Sequence, residues 1–159
     1  MRAVVLYDSV YGNTEKVAGA VRDGLLTGNN EVKLLSVKDA ETSVSDGFAL
    51  IVFGTPTHGG RASEDAKKFL GSIPAGGLDG VKVASFDTRT DLLRENMFLT
   101  FFARLLGYAA GRVQGTLRRA GGIPVVEPEG FLVNGREGPL VDGESDRARK
   151  WAEEIVRKI

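Results

Sequence analysis

Apolar runs of five or six residues alternate with stretches of helical periodicity along the whole chain. That alternation marks an α/β fold built on a parallel sheet. The runs predict strands at Arg2 to Tyr7, Glu31 to Ser36, Phe48 to Gly54 and Val81 to Phe86. A fifth is predicted in two pieces, Ile123 to Val126 and Phe131 to Val133, parted by a turn at Glu127-Pro128-Glu129-Gly130. Ala49 through Phe53 is apolar without a break, the pattern of a strand covered on both faces.

Between the runs the apolar period lengthens to that of a helix. The first predicted helix begins near Asn13 and lines up Val17, Val21, Gly24 and Leu25. The second starts near Ser63, with acids in its first turn and Lys67 and Lys68 later, which suits the helix dipole; it buries Ala66, Phe69 and Leu70. A third helical region runs from about Leu92 to Ala120 and stops at Gly121-Gly122. Its Gly107, Gly111 and Gly115 recur every fourth residue, a face on which another backbone can come close. Its first half (Met97, Phe98, Phe101, Phe102, Leu105) reads as core packing, with a cover over a ligand or a subunit contact as the alternative. The last helix follows Asp142-Gly143 and aligns Ala148, Trp151, Ile155 and Ile159. No repeat or linker interrupts the pattern, so one domain is expected over residues 1–159.

Composition removes several function classes. Lysine plus arginine and aspartate plus glutamate number 21 each, so no strong field points to nucleic acid or an anionic membrane. The absence of cysteine excludes disulfides, thiolate metal sites and cysteine nucleophiles, and a lone histidine, His58, excludes a multi-histidine metal site. The longest apolar stretch, Met97 to Leu106, is too short to span a bilayer and contains Arg104. The chain opens directly on a strand, which leaves no room for a signal peptide. A cytoplasmic protein is the expectation.

In an open α/β sheet, ligands bind outside the carboxyl ends of the strands. Three predicted loops lie there. Ser9-Val10-Tyr11-Gly12-Asn13-Thr14 joins the first strand to the first helix. Such a turn aims backbone N–H groups at one spot beside the positive end of a helix dipole, an arrangement that holds phosphate without a cation. Ser9 and Thr14 add hydroxyls; the plain alternative is a turn and helix cap. The second loop, Gly54-Thr55-Pro56-Thr57-His58-Gly59-Gly60-Arg61, has glycines at Walker spacing, but Gly60-Arg61 stands where a nucleotide-triphosphate site needs Lys-Ser/Thr. Its paired glycines would let backbone approach a flat ligand. The third loop, Asp87-Thr88-Arg89-Thr90-Asp91, is dense in donors and acceptors, with solvated turn chemistry as the alternative.

With these residues in view, the chain resembles the flavodoxin-like FMN-binding proteins over essentially its full length. Ser9, Gly12 and Thr14 match that family's Thr/Ser-x-Thr-Gly-x-Thr phosphate loop, with Tyr11 replacing the middle Thr, as in the quinone-reductase branch. The second loop resembles the segment lining the isoalloxazine ring. The ending Gly-Phe-Leu-Val … Glu-Gly-Pro-Leu … Gly-Glu resembles a group of short members of unassigned role. The resemblance implies a doubly wound sheet of five parallel strands, order 2-1-3-4-5, with helices on both faces. It implies that Ser9, Val10, Tyr11, Gly12, Asn13 and Thr14 hold the FMN phosphate. Thr55, Pro56, Thr57, His58, Gly59 and Gly60 would line the ring, and Asp87, Thr88 and Arg89 its pyrimidine side. It also implies a peptide in the His58-Gly59-Gly60 segment that turns its carbonyl towards the reduced ring. No catalytic residue and no metal ligand are assigned.

The chain departs from that pattern in two respects. The Trp and Tyr that usually sandwich the ring are absent from the second and third loops, leaving His58, Tyr11 or an aromatic of the third helical region in their place. Trp151 reads as core. Arg61 and Arg89 also stand in the ligand loops, which predicts a less negative second-electron potential than an acidic site gives. The leading expectation is an FMN-binding redox protein, monomer or homodimer, passing electrons between partner proteins. The alternatives are a flavin-dependent NAD(P)H:quinone or nitro-compound reductase and an interaction module that has lost FMN. A phospho-receiver domain lacks its acid pair and lysine here, and no Gly-x-Gly-x-x-Gly follows the first strand.

Overall fold

The computed structural model describes residues 1–27, 29–40, 47–90 and 108–159. Strand β1 (Arg2–Tyr7) pairs in parallel with β2 (Glu31–Ser36) on one side and β3 (Leu50–Pro56) on the other. Strand β4 (Lys82–Thr90) continues the sheet beside β3. Two short strands, β5 (Ile123–Pro124) and β6 (Glu129–Val133), share the outermost position, both parallel to β4. The order β2-β1-β3-β4 followed by that broken strand is the expected one, with the fifth strand counted as two. The break leaves the Val126 carbonyl without a strand partner. Buried Gln114 donates to it at 2.9 Å and is itself held by the Ser85 hydroxyl at 3.1 Å.

Alternation along β1 explains the two layers. Ala3 and Val5 face helices α1 (Asn13–Leu25) and α4 (Glu144–Lys158), with Val17, Val21, Leu25, Trp151 and Ile155. Val4 and Leu6 face the other side, with Phe69 and Leu70 of α2 (Glu64–Ser72) and Val113 and Leu117 of α3 (Ala109–Arg119). Trp151 is core as expected, meeting Phe86 and Phe131 edge-on at 6.2 and 6.1 Å between ring centres. Ser63 caps α2 by accepting from the Ala66 amide at 3.3 Å. On the outer edge, the Glu144 carboxylate accepts from the Leu132 amide at 2.6 Å and from Arg147 at 2.7 and 2.8 Å, which ties β6 to α4.

Two expectations need correction. Strand β3 runs two residues past Gly54, to Pro56, and β4 runs four past Phe86, to Thr90, so Asp87, Thr88 and Arg89 are strand and not loop. They stay extended because β4 keeps neighbours on both sides: Thr55 and Pro56 face Asp87 and Thr88, while Gly130 to Val133 face Asp87 to Thr90. Helix α3 begins at Ala109; the predicted residues 92–107 and Asp91 lie outside the described residues. A Cβ built on Gly111 or Gly115 of α3 meets no described atom within 4 Å, and Gly107 lies outside the described residues.

A close backbone approach occurs where α1 crosses α4. A Cβ on Gly24 would lie 2.3 Å from the Arg149 carbonyl oxygen and 2.8 Å from the Ala152 Cβ. Gly24→Ala is therefore expected to lower the unfolding free energy by about 1–3 kcal/mol, the usual range for overpacking. Gly19→Ala, on the same helix but facing open space, is expected to raise it by up to about 1 kcal/mol through helix propensity. Urea unfolding of both variants checks the contrast.

Candidate functional site

A cleft open to solvent, with a cavity volume of about 60 Å³, lies at the carboxyl edge of the sheet. Its lining draws Val10, Tyr11, Asn13 and Thr14 from the first loop and Pro56, Thr57 and His58 from the second. Thr88, Arg89 and Thr90 come from β4, and Val133, Gly135 and Arg136 from β6 and the loop beyond it.

The first loop is shaped from within. The Ser9 hydroxyl accepts from the Gly12 amide at 3.0 Å and the Glu15 amide at 3.4 Å, keeping its own proton to donate. Gly12 caps α1 in the left-handed region, φ 87°. The amides of Tyr11, Asn13 and Thr14 find no acceptor among the described residues, as the opening turn of a helix dictates. The Thr14 hydroxyl meets the Thr88 hydroxyl at 2.8 Å. One bond between two hydroxyls uses one of their two protons, so this buried pair has a donor to spare. Val10 and Tyr11 are 55% and 44% exposed, unusual for an apolar and an aromatic side chain that nothing covers.

The second loop is a tight hairpin. His58 and Arg61 exchange backbone hydrogen bonds of 2.9 and 3.0 Å, and Gly59 and Gly60 between them take φ values of 55° and 75°. A two-residue turn with both central residues at positive φ is the geometry that glycine pairs serve. The exposed His58 stands on the cleft wall while the glycines form the tip. Thr55 contributes nothing to the lining: it is fully buried and its hydroxyl accepts from the Ser63 amide at 3.2 Å, bracing the start of α2.

Asp87 does not reach the cleft either. It is fully buried beneath the floor, receives Arg89 through Nε at 2.5 Å and Nη2 at 2.9 Å, and accepts the Ala110 amide of α3 at 2.8 Å. Burial pushes the Asp87 carboxyl above its ordinary range, and Arg89, the Ala110 amide and the nearby Thr57 hydroxyl pull it back only in part. Arg89 also stacks on the Tyr108 ring at 3.5 Å. The guanidinium seen from the cleft is thus already balanced by a carboxylate. The Thr57 hydroxyl oxygen is buried with no partner in hydrogen-bond geometry, the one such side-chain atom among the described residues. A buried unpaired donor at the edge of a cleft is what a ligand acceptor would satisfy.

Sequence reasoning therefore located nine of the lining residues, while Ser9, Gly12, Gly59 and Gly60 shape the walls. It placed Thr90 in the third loop without giving it a contact, and it missed Val133, Gly135 and Arg136. The available signal was the turn Asn134-Gly135 after the last strand, a fourth loop at the same edge. Among the described residues, no cluster of His, Asp or Glu could hold a metal ion and no helix is long and apolar enough to cross a membrane.

Residues 5–151 match the family model described as Flavodoxin. A flavodoxin of Clostridium saccharobutylicum is 28% identical over 162 residues, covering 100% of this chain and 98% of the relative. The crystal structure of oxidised flavodoxin 1 from Bacillus cereus superposes with a TM-score of 0.77 at 18% identity, covering 100% of this chain and 99% of the other. A flavodoxin from the domain Archaea gives 0.74 at 21% identity, covering 99% and 98%. At such identities the two structures establish the fold alone.

The buried pair generates a prediction. Arg89→Met leaves Asp87 buried and unpaired and is expected to cost about 3–5 kcal/mol near neutral pH. Because the folded protein already holds the Asp87 proton more tightly than the unfolded chain, the stability from that group is present below the unfolded pKa and falls as pH rises through the folded one. Loss of Arg89 raises the folded value further, so the deficit should shrink in mild acid. Urea unfolding of wild type and variant from about pH 5 to 8 measures this; a deficit independent of pH would contradict it.

Proposed function

The chain belongs to the flavodoxin family and is an electron-transfer flavoprotein; we propose that its flavin is FMN, held in the cleft between Val10 and Arg136 and presented to redox partner proteins. The observation that carries the cofactor reading is the set of unsatisfied donors on one side of that cleft: the Tyr11, Asn13 and Thr14 amides, the spare proton of the Thr14–Thr88 pair and the buried Thr57 hydroxyl. Donors without acceptors, gathered at a helix N-terminus, suit a phosphate dianion and the carbonyl-bearing edge of a flavin.

FMN, when bound, supplies reversible one- and two-electron redox chemistry. The residues do the rest. The first loop fixes the phosphate through main-chain hydrogen bonds, so the grip needs no titrating group. Thr57 and Thr88 offer hydroxyls from the floor. Tyr11 and His58 are the exposed rings on the cleft wall, standing in for the Trp and Tyr that the family usually carries. The Gly59-Gly60 peptide, at the hairpin tip with no hydrogen bond among the described residues, is free to turn towards the ring. Of the two arginines in the predicted ligand loops, Arg89 is balanced by Asp87, which leaves Arg61 at the hairpin as the cation able to favour reduction.

Titration of the apoprotein with FMN is expected to quench the flavin fluorescence; no quenching and no heat of binding would overturn the assignment. Reduced holoprotein is expected to pass electrons to added cytochrome c, whereas sustained NAD(P)H oxidation with a quinone would assign a reductase instead. Thr57→Val is expected to weaken FMN binding about fivefold while changing the stability of the apoprotein by no more than about 1 kcal/mol, since the hydroxyl has no partner in hydrogen-bond geometry and only lies near the Asp87 carboxylate. Parallel FMN titration and thermal unfolding of the variant test both halves.

A further inference from the structure

We propose that Arg136 supplies a side-chain cation to the phosphate end of the cleft and that buried Asn13 holds it there; the proposal rests on the FMN reading above. Sequence reasoning placed Asn13 among the phosphate ligands and expected the grip to do without positive side chains. The side chain of Asn13 turns out to face the opposite loop. It is 7% exposed, and its amide donates to the Glu137 carbonyl at 2.9 Å, a bond between residues 124 apart in the chain. The fit is close on both sides: a Cβ on Gly138 would lie 2.6 Å from that same side-chain nitrogen and 2.7 Å from the Asn13 side-chain oxygen.

The loop bearing Arg136 is anchored at its base as well. The Asn134 amide donates to the Pro139 carbonyl at 2.8 Å, and Val133 bridges Leu140. Arg136 thus rides on a short loop pinned at one end by its own strand and at the other by Asn13, the first residue of α1. The backbone amide of Asn13 is one of the unpaired donors of the phosphate loop, so the residue serves both sides of the cleft at once.

Charge bookkeeping along the lining isolates Arg136. Among the described residues two arginines border the cleft, and Arg89 is balanced by buried Asp87. Arg136 makes no ion pair or side-chain hydrogen bond among the described residues, and the segment from Ser9 to Thr14 contains no cation of its own. A dianion seated at the α1 N-terminus therefore meets the Arg136 guanidinium, uncompensated among the described residues, from a loop whose position is set in advance. Arginine suits this role because its donors form a planar fork that matches phosphate oxygens. The consequence is a phosphate grip that salt weakens, unlike one made by main-chain amides alone.

The experiment is a fluorescence titration of FMN and of riboflavin, which lacks the phosphate, against apoprotein of wild type, Arg136→Gln, Arg136→Lys, Asn13→Ala and the double variant Asn13→Ala with Arg136→Gln. Each is run from about 20 to 300 mM NaCl, a span over which screening grows substantially. Arg136→Gln is expected to weaken FMN binding about tenfold at low salt, the order of one charge-assisted hydrogen bond. Its affinity for riboflavin should not change, and its salt dependence should flatten. Arg136→Lys should keep part of the FMN affinity and the salt dependence. In the Asn13→Ala background, Arg136→Gln should cost distinctly less than in wild type, the signature of a positioning role. Wild-type binding of FMN with Arg136→Gln unchanged in affinity and salt dependence overturns the proposal alone. Failure of wild type to bind FMN overturns the cofactor reading and this proposal with it. Equal losses for FMN and riboflavin in Arg136→Gln would show general damage to the cleft and also overturn it.

Discussion

A backbone amide in a parallel sheet is satisfied only while a neighbouring strand continues beside it, and the site follows from where that pairing stops. Strand β1 ends at Tyr7: the Asp8 amide still donates to the Gly54 carbonyl, after which the chain turns away into α1. The amides that follow have neither strand nor preceding helical turn to pair with. Strands β3 and β4 run further because they support each other and β6 supports β4. The staggered edge that results has a strand floor on one side and unpaired donors on the other, which is a cleft by construction.

The floor is unusual in being polar. Asp87, Thr88 and Arg89 occupy strand positions beside a fully buried neighbour, and the arrangement holds because Asp87 is given three donors in the interior. A buried ion pair seldom adds net stability over an apolar replacement. Its effect here is geometric: one carboxylate joins the cleft floor, the start of α3 and, through Arg89, the Tyr108 ring. The same pairing cancels the positive charge that the floor would otherwise show to a reduced, anionic flavin.

Membership of the flavodoxin family and the chemistry of the cleft walls are separate matters. The family determines the sheet order, which this chain keeps. The walls differ: the lone tryptophan is spent on the core between Phe86 and Phe131, and the exposed rings at the cleft are Tyr11 and His58. With 21 acidic and 21 basic residues, the chain also lacks the acidic field by which a carrier would repel electrons from its site and steer towards basic partners.

Local pattern was enough to read the strands, their parallel pairing, the helix faces and the tight turn that opens α1. Each of those depends on residues within a few positions of one another: the alternation of Ala3 to Leu6, the unbroken run to Phe53, the cap at Ser63, the Gly12-Asn13-Thr14 start of α1. Polarity misled at Asp87 to Arg89, because what keeps a charged segment extended is β6, some forty residues later in the chain, and an ion pair buried under the floor. The fourth wall left only the turn Asn134-Gly135 as a sign of itself, and nothing local tied it to the first loop. Asn13 and Glu137 are 124 residues apart, and only the fold brings their loops together, since a hydrogen bond between distant residues leaves no periodic trace in sequence.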